Sequence, residues 1–314
     1  MTNMIQLKQE ELIKSRGYRA TIKAAYNLFT DNYKVILKHI WPYALALAVI
    51  LGFFILNQFK TYGQVPSLSD MLVSGALMLF TVVAEIVFYG RTMMLFNGQS
   101  FTWNILRALK ATLWMILLVV VFTLIIIGIS AAFGSFSTGT ADSATGIPQT
   151  DPMIQMQQQQ TIFAKNMMIA MLAMTILSLL LLPIVYVYIK YFVETDTHFH
   201  KILFKDLKTG MKHWGYIFLT LLVVSICIAV IGLIISLPLI ILFTAYGFSI
   251  QGVMQGDEAG IPGYFTPLAY GVSLVSYFIY AIMILFSLFV AYYIYGSIEA
   301  KEHEKRNLKL NTEY

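Results

Sequence analysis

The sequence predicts an all-α, polytopic integral membrane protein with six transmembrane helices, and three observations carry that prediction. Of 314 residues, 58% are hydrophobic and only 12% are charged, against about 25% charged in soluble proteins. The apolar residues lie in six long runs, each near or above the roughly 20 residues that a helix needs to cross a bilayer. The cations fall almost wholly on one side of those runs.

The runs place spans near Ile40–Phe59, Met71–Gly90, Leu113–Phe133, Met167–Ile189, Tyr216–Phe243 and Pro267–Ile298, a transmembrane domain over 40–298. The last two are longer than a bilayer requires, so they tilt, kink or project. Pro238 is expected to kink the fifth span or end it early. If the N-terminus is inside, all but Lys60 and Lys165 of the 21 Lys and Arg become cytoplasmic. The rule that positive charge stays inside then puts both termini in the cytoplasm: residues 1–39 at one end and a 299–314 tail at the other. The first forty residues hold no early apolar stretch, so the first span is expected to remain as an anchor. The net charge of +5 describes a surface facing anionic lipid headgroups; no basic and aromatic nucleic-acid module accompanies it.

A basic amphipathic stretch precedes each odd-numbered span. In the first, Tyr18, Ile22, Ala25, Tyr26, Phe29, Tyr33, Ile36 and Leu37 form the apolar face, and Arg19, Lys23, Asn27, Lys34 and Lys38 take the other. The second covers Phe101–Lys110 with Ser100 or Thr102 as cap, and the third His198–His213 with Thr197 as cap. Each ends in a Lys and then a Trp: Lys38/Trp41, Lys110/Trp114, Lys212/Trp214. Lysine snorkels and tryptophan sits at the interface, so the pair marks a point of entry into the bilayer. Arg19, Lys23, Lys34, Lys38, Lys110 and Lys212 are the candidate lipid-facing cations. The even spans also close alike, with Phe88-Tyr89-Gly90 and Ile294-Tyr295-Gly296. The unit of interfacial helix, span, outer loop and span therefore predicts a parallel threefold repeat. The tyrosines at the inner end of span 6 are expected in the aromatic belt, while Tyr277 and Tyr280 should face other helices. Gly128, Gly232/Ser236 and Ser74/Gly75 are expected to permit close helix contact.

The outer loops are read at Lys60–Asp70, 134–166 and Thr244–Thr266. The second is Gln-rich, and Asp151-Pro152 fits a cap and first helical position before span 4; Thr266-Pro267 fits the same before span 6. A protein partner on the far side would be met at these loops.

Chemistry needs convergent groups, and the sequence offers few. One cysteine, Cys227, excludes a disulfide or CxxC site. His198 and His200 miss the i, i+4 spacing that binds zinc on one helix face. No nucleophile elbow, phosphate loop or dinucleotide fingerprint occurs. No catalytic residue, cofactor or metal site is assigned, and an enzyme is not expected. The exception is Glu85, the only ionisable residue well inside a span. A charge at the centre of a span costs about 2.5–3.5 kcal/mol. Glu85, with Tyr89 one turn on, is the candidate intramembrane polar site. It reads either as a proton, cation or amine site, or as a structural bond to a neighbouring helix.

The mitochondrial carriers, similar in length and repeat number, are excluded because the residues around Pro42, Pro183 and Pro238 do not match their motif. With basic interfacial helices such as Gly17–Lys38 ahead of its spans, the chain resembles bacterial six-span membrane proteins of the type attached to glycerophosphodiester phosphodiesterases. The likeness covers most of the chain. The catalytic phosphodiesterase domain is absent, so the resemblance implies an inner-membrane location but no activity. The expected function is a non-enzymatic membrane component that organises lipid or a partner, with a small permease using Glu85 as the alternative.

Overall fold

The computed structural model describes residues 7–61, 67–141, 168, 171–256 and 262–312, and among them it is helical with no strand. The helices are α1 (Tyr18–Thr61), α2 (Leu68–Asn97), α3 (Phe101–Ala141), α4 (Met171–Leu181), α5 (Ile184–Val193), α6 (Phe199–Lys212), α7 (Trp214–Met254) and α8 (Phe265–Thr312). Five of them are long and apolar enough to cross a membrane, and a sixth span exists if α4 and α5, bent by 42°, count as one. Along α3, Leu113, Val119, Val120, Leu124 and Ile127 are all about half exposed or more. A helix that is apolar all round and unpacked is stable only in hydrocarbon.

The first two interfacial stretches are not separate helices. Each merges with its span, giving the uninterrupted α1 and α3. Only the third stays distinct, because the chain breaks at His213 between α6 and α7. Ser100, one of the two caps predicted for α3, accepts the Trp103 N–H at 3.3 Å. Thr197 is not the cap of α6; His198 holds that place, and the Thr197 hydroxyl donates back to Glu194 O at 3.0 Å. Thr266-Pro267 does not cap α8 either, since the helix already begins at Phe265. α3 runs through Ala141 and α7 through Met254, so the second and third outer loops start later than 134 and 244. The Gln-rich segment, the Asp151-Pro152 cap and Asp257-Glu258 lie outside the described residues. At the start of α2, Ser67 and Asp70 form a reciprocal capping box.

Proline breaks one span and not another. α7 continues through Pro238, contrary to an early end. On this stretch α8 supplies donors: Tyr280 Oη to Gly232 O at 2.8 Å and Ser276 Oγ to Ile235 O at 3.3 Å. Gly232 permits this approach, since a Cβ there would lie 2.9 Å from the Tyr280 hydroxyl. Among the described residues nothing lies within 4 Å of a Cβ built at Gly75 or Gly128. Pro183 does bend its span. It brings no N–H to Leu179 O, and Trp214 Nε1 donates to that carbonyl instead, at 2.8 Å. Trp214 is thus bonded to the chain rather than free at the interface.

The core sits at the end of the molecule that carries the cations. Phe289 through Ala300 of α8 are all buried, so this part of α8 is the axis round which the others pack. Tyr292, Tyr293 and Tyr295 therefore belong to the core, at 3%, 0% and 4% exposure, and not to an aromatic belt. Phe96 of α2 stacks on Tyr292 at 4.3 Å and meets Phe289 edge-on at 5.3 Å; such pairs contribute about 0.5–1.5 kcal/mol each. A second, small cluster closes the opposite end, where Phe59 stacks on Phe243 at 4.0 Å with Tyr246 and Phe265 at its edges.

Residues 7–17 form a strap across α8. Asn32 pins one end, accepting from Lys8 N at 2.9 Å and donating to Lys8 O at 2.8 Å. At the other end Ser297 Oγ accepts from Arg16 N and donates to Arg16 O, both at 2.9 Å. Between them Leu12 crosses directly over Gly296. Arg16, only 6% exposed, lies 5.0 Å over the Tyr293 ring and donates to the carbonyls of Glu11, Leu12 and Lys14.

Candidate functional site

Two places bring ionisable groups together, one between the spans and one at the basic end. Between the spans, α1, α2, α7 and α8 enclose a groove of about 430 Å³ lined by Leu47, Leu51, Glu85, Ser236, Tyr277 and Tyr280 among others. Glu85 is exposed to this groove, and among the described residues no hydrogen bond or ion pair reaches its carboxyl. Tyr89 does not share the groove. It packs on the core beside Phe88, whose ring is 5.8 Å away. Tyr280, in contrast, lies in the groove with its hydroxyl spent on Gly232 O. The site is therefore one carboxyl among apolar side chains and hydroxyls, of which those of Ser236, Ser276 and Tyr280 bond to backbone carbonyls.

At the basic end the cations divide into two sets. Arg16, Arg91, Arg107 and Lys190 are built into the packing. Arg91 sits between the rings of Tyr43 and Phe101, at 5.7 and 5.6 Å, and donates to His39 O at 3.4 Å. Arg107 is 6% exposed, flat between Trp103 and Tyr191 at 4.3 and 4.0 Å, and bonded to Glu194 O and Thr197 O at 3.0 and 2.5 Å. Lys190 gathers three carboxylates: Glu299 at 3.0 Å, Asp206 at 3.2 Å and Glu194 at 3.5 Å. Tyr186 donates to the same Glu299 oxygen at 2.5 Å. This cluster clamps α5, α6 and α8 together. Hydropathy cannot find it, because its members are far apart in sequence and acids beside interfacial helices are common.

The second set is exposed: Arg19, Lys23, Lys34, Lys38, Lys110 and Lys212, the six residues picked from the sequence. Lys212 differs from the rest in being paired, 2.9 Å from Glu302. On α1 the buried row is Thr21, Ala24, Ala25, Leu28, Asn32 and Ile36. Tyr26 and Tyr33, expected on the apolar face, instead stand 58% and 47% exposed beside the cations. Two small residues and an asparagine took the inner face because they allow the strap and α8 to come close. Tyrosine, with an apolar body and a polar tip, is stable where it points outward into an interface.

Compared with protein-family models, curated proteins and solved structures, the chain matches none. The reading of the site therefore rests on its geometry. Among the described residues no group of three His, Cys, Asp or Glu is placed to hold a metal ion.

Glu302 gives a test of how α8 is tied to the α6–α7 junction. It lies beyond the apolar part of α8 and accepts from Lys212 Nζ and His213 Nε2, both at 2.9 Å. The bond from Lys212, then that from His213, holds its carboxyl down at about 2, below the ordinary 4.5. A depressed folded-state value means that the contribution is complete above about 4.5 and fades as pH falls toward 2. Lys212 is half exposed, so the effect is small, about 0.2–1 kcal/mol. Thermal stability in detergent should therefore fall less between pH 6 and pH 3 for Glu302→Gln than for the unaltered protein. Equal losses would refute the assignment.

Proposed function

We propose that this chain is a non-enzymatic protein of the bacterial inner membrane that gathers anionic lipid at the cytoplasmic leaflet, with six spans and both termini inside. The observation that carries this reading is the outer face of α1. Arg19, Lys23, Tyr26, Tyr33, Lys34, Lys38 and Trp41 share one side of that helix, all exposed, ahead of its apolar part. Cations beside interfacial aromatics attract anionic headgroups, at about 1 kcal/mol for each Lys or Arg near the surface. A shallow groove lined by Tyr18, Arg19, Lys23, Tyr26, Val223 and Phe286 continues from this face toward α7 and α8.

The threefold arrangement belongs to the same proposal. At Gly90 the start of α3 crosses α2, with Ile105 N and Cα each 3.1 Å from where a Cβ would sit. At Gly296 the strap ahead of α1 crosses α8 in the same way. Both glycines follow a tyrosine, in Tyr89-Gly90 and Tyr295-Gly296. Two of the three closing helices thus let a segment that leads toward an odd-numbered span pass over a Tyr-Gly pair. This supports a repeated unit.

The test is the combined variant Arg19→Ala/Lys23→Ala/Lys34→Ala/Lys38→Ala. Phosphatidylglycerol co-purifying with it from mixed vesicles should fall by well over tenfold, since about 1 kcal/mol for each of four cations amounts to about 4 kcal/mol. Unchanged retention would defeat the reading. One observation favours a second reading, a small cation permease: among the described residues no hydrogen bond or ion pair reaches Glu85 in its groove. On that reading proteoliposomes take up a monovalent cation or protons, and Glu85→Gln abolishes the uptake. Equal flux with and without the substitution removes it.

A further inference from the structure

We propose that the cavity between α3 and α6 binds the phosphate of an anionic phospholipid headgroup. This rests on the lipid-gathering reading and gives it one defined site. The cavity measures about 470 Å³ at the basic end, and its lining holds Arg107, Lys110, His198 and His200 but no carboxylate. That absence is notable because acids are near. Glu194 offers only its backbone carbonyl to Arg107, its side chain being turned to Lys190.

Arg107 supplies the fixed donor. Two flanking rings and two carbonyls hold its guanidinium in one orientation, and those carbonyls use only part of its planar fork of donors. A pre-oriented guanidinium is well suited to phosphate oxygens. Lys110, His198 and His200 are exposed and have no hydrogen-bond or ion-pair partner among the described residues. The first turn of α6 has no side-chain cap, so its free N–H groups and positive dipole end add to the same wall. Each of these groups donates, and a phosphate is all acceptor.

The surroundings choose a lipid over free phosphate. Leu106 and Leu113 line the cavity, and they are 51% and 57% exposed. Leu117 and Leu124 continue the row at 51% and 63%. The four recur at helical spacing, so they form one apolar stripe running from the cavity along α3. A headgroup in the cavity would lay its acyl chain on that stripe. Trp103 and Trp114 at the mouth suit the interfacial depth that this requires.

The test is calorimetric titration of the full chain in nonionic detergent with dihexanoyl phosphatidylglycerol, dihexanoyl phosphatidylcholine and inorganic phosphate. Saturable binding of the phosphatidylglycerol is expected. The variant Lys110→Ala/His198→Ala/His200→Ala, which leaves Arg107 and its packing intact, should weaken it by about tenfold or more. Lys14→Ala/Lys205→Ala/Lys208→Ala, which removes three exposed cations that do not line the cavity, should bind like the unaltered chain. Equal binding by the cavity variant overturns the site, whatever the four-cation variant of α1 does to co-purifying lipid. Phosphatidylcholine binding as tightly would overturn the anionic selectivity, and inorganic phosphate binding as tightly would overturn the lipid. If the cavity variant weakens binding while the α1 variant retains all its lipid, the site stands and only the broader reading falls.

Discussion

Gly296→Ala is expected to release the strap of residues 7–17 from α8. A Cβ at that position would overlap the Leu12 carbonyl oxygen and stand 2.7 Å from Leu12 Cδ1 and 2.9 Å from the Leu12 carbonyl carbon. The obstruction is backbone, and the backbone cannot step aside. Asn32 holds the strap at Lys8, and Ser297, the residue after the glycine, holds it at Arg16. Overpacking of this kind costs about 1–3 kcal/mol. The least costly escape is for the strap to lift while the helices stay packed. Tryptic cleavage after Arg16, which is nearly inaccessible in the docked strap, should then accelerate about tenfold, since opening precedes cutting. Gly271→Ala is the control, because nothing lies within 4 Å of its added carbon. Digestion of Gly296→Ala at the unaltered rate would mean that the strap does not cross α8 as described.

Lys190→Met should be the more damaging change. It removes the one ammonium to which Glu299, Asp206 and Glu194 all point. Lys190, Asp206 and Glu299 have side chains only 12%, 15% and 10% exposed, so the carboxylates left behind cannot fully rehydrate. Breaking a buried ion pair by removing one partner costs about 3–5 kcal/mol. Thermal denaturation in detergent, followed by helical circular dichroism, should show the loss as a lower midpoint. Lys190→Met/Glu299→Gln should recover part of it, because the second change removes one stranded charge. A double variant less stable than the single one would show that charge compensation is not the role of Lys190.

Both predictions turn on residues that the sequence did not single out for these roles. Gly296 was visible as half of a Tyr-Gly ending, but not as the place where the strap crosses. Its partner in the contact is nearly the whole chain away. Lys190 counted only as one more cation on the inner side. Asn32 lies in the buried row of α1 and fastens the strap to that face. The exposure of Arg19, Lys23, Lys34, Lys38, Lys110 and Lys212 is a local matter decided by solvent. Tyr26 and Tyr33 were misassigned because hydrophobicity alone does not separate a core tyrosine from an interfacial one. Tyr292, Tyr293 and Tyr295 were misassigned in the opposite direction for the same reason. Glu85 was legible as an isolated intramembrane acid, but whether a neighbour bonds to it was not.

By itself the sequence determined the class of structure: long apolar helices with cations gathered at one end. Hydropathy and charge act residue by residue, and a bilayer selects on them before any helix meets another. The tertiary structure alone decided which helix became the axis, how the first strap and the last helix join, and which cations are fixed in the packing. Those depend on contacts between distant segments. Once hydrocarbon surrounds every helix, burying apolar area no longer discriminates among arrangements. Close backbone approach at glycines, paired charges and ring stacking discriminate instead.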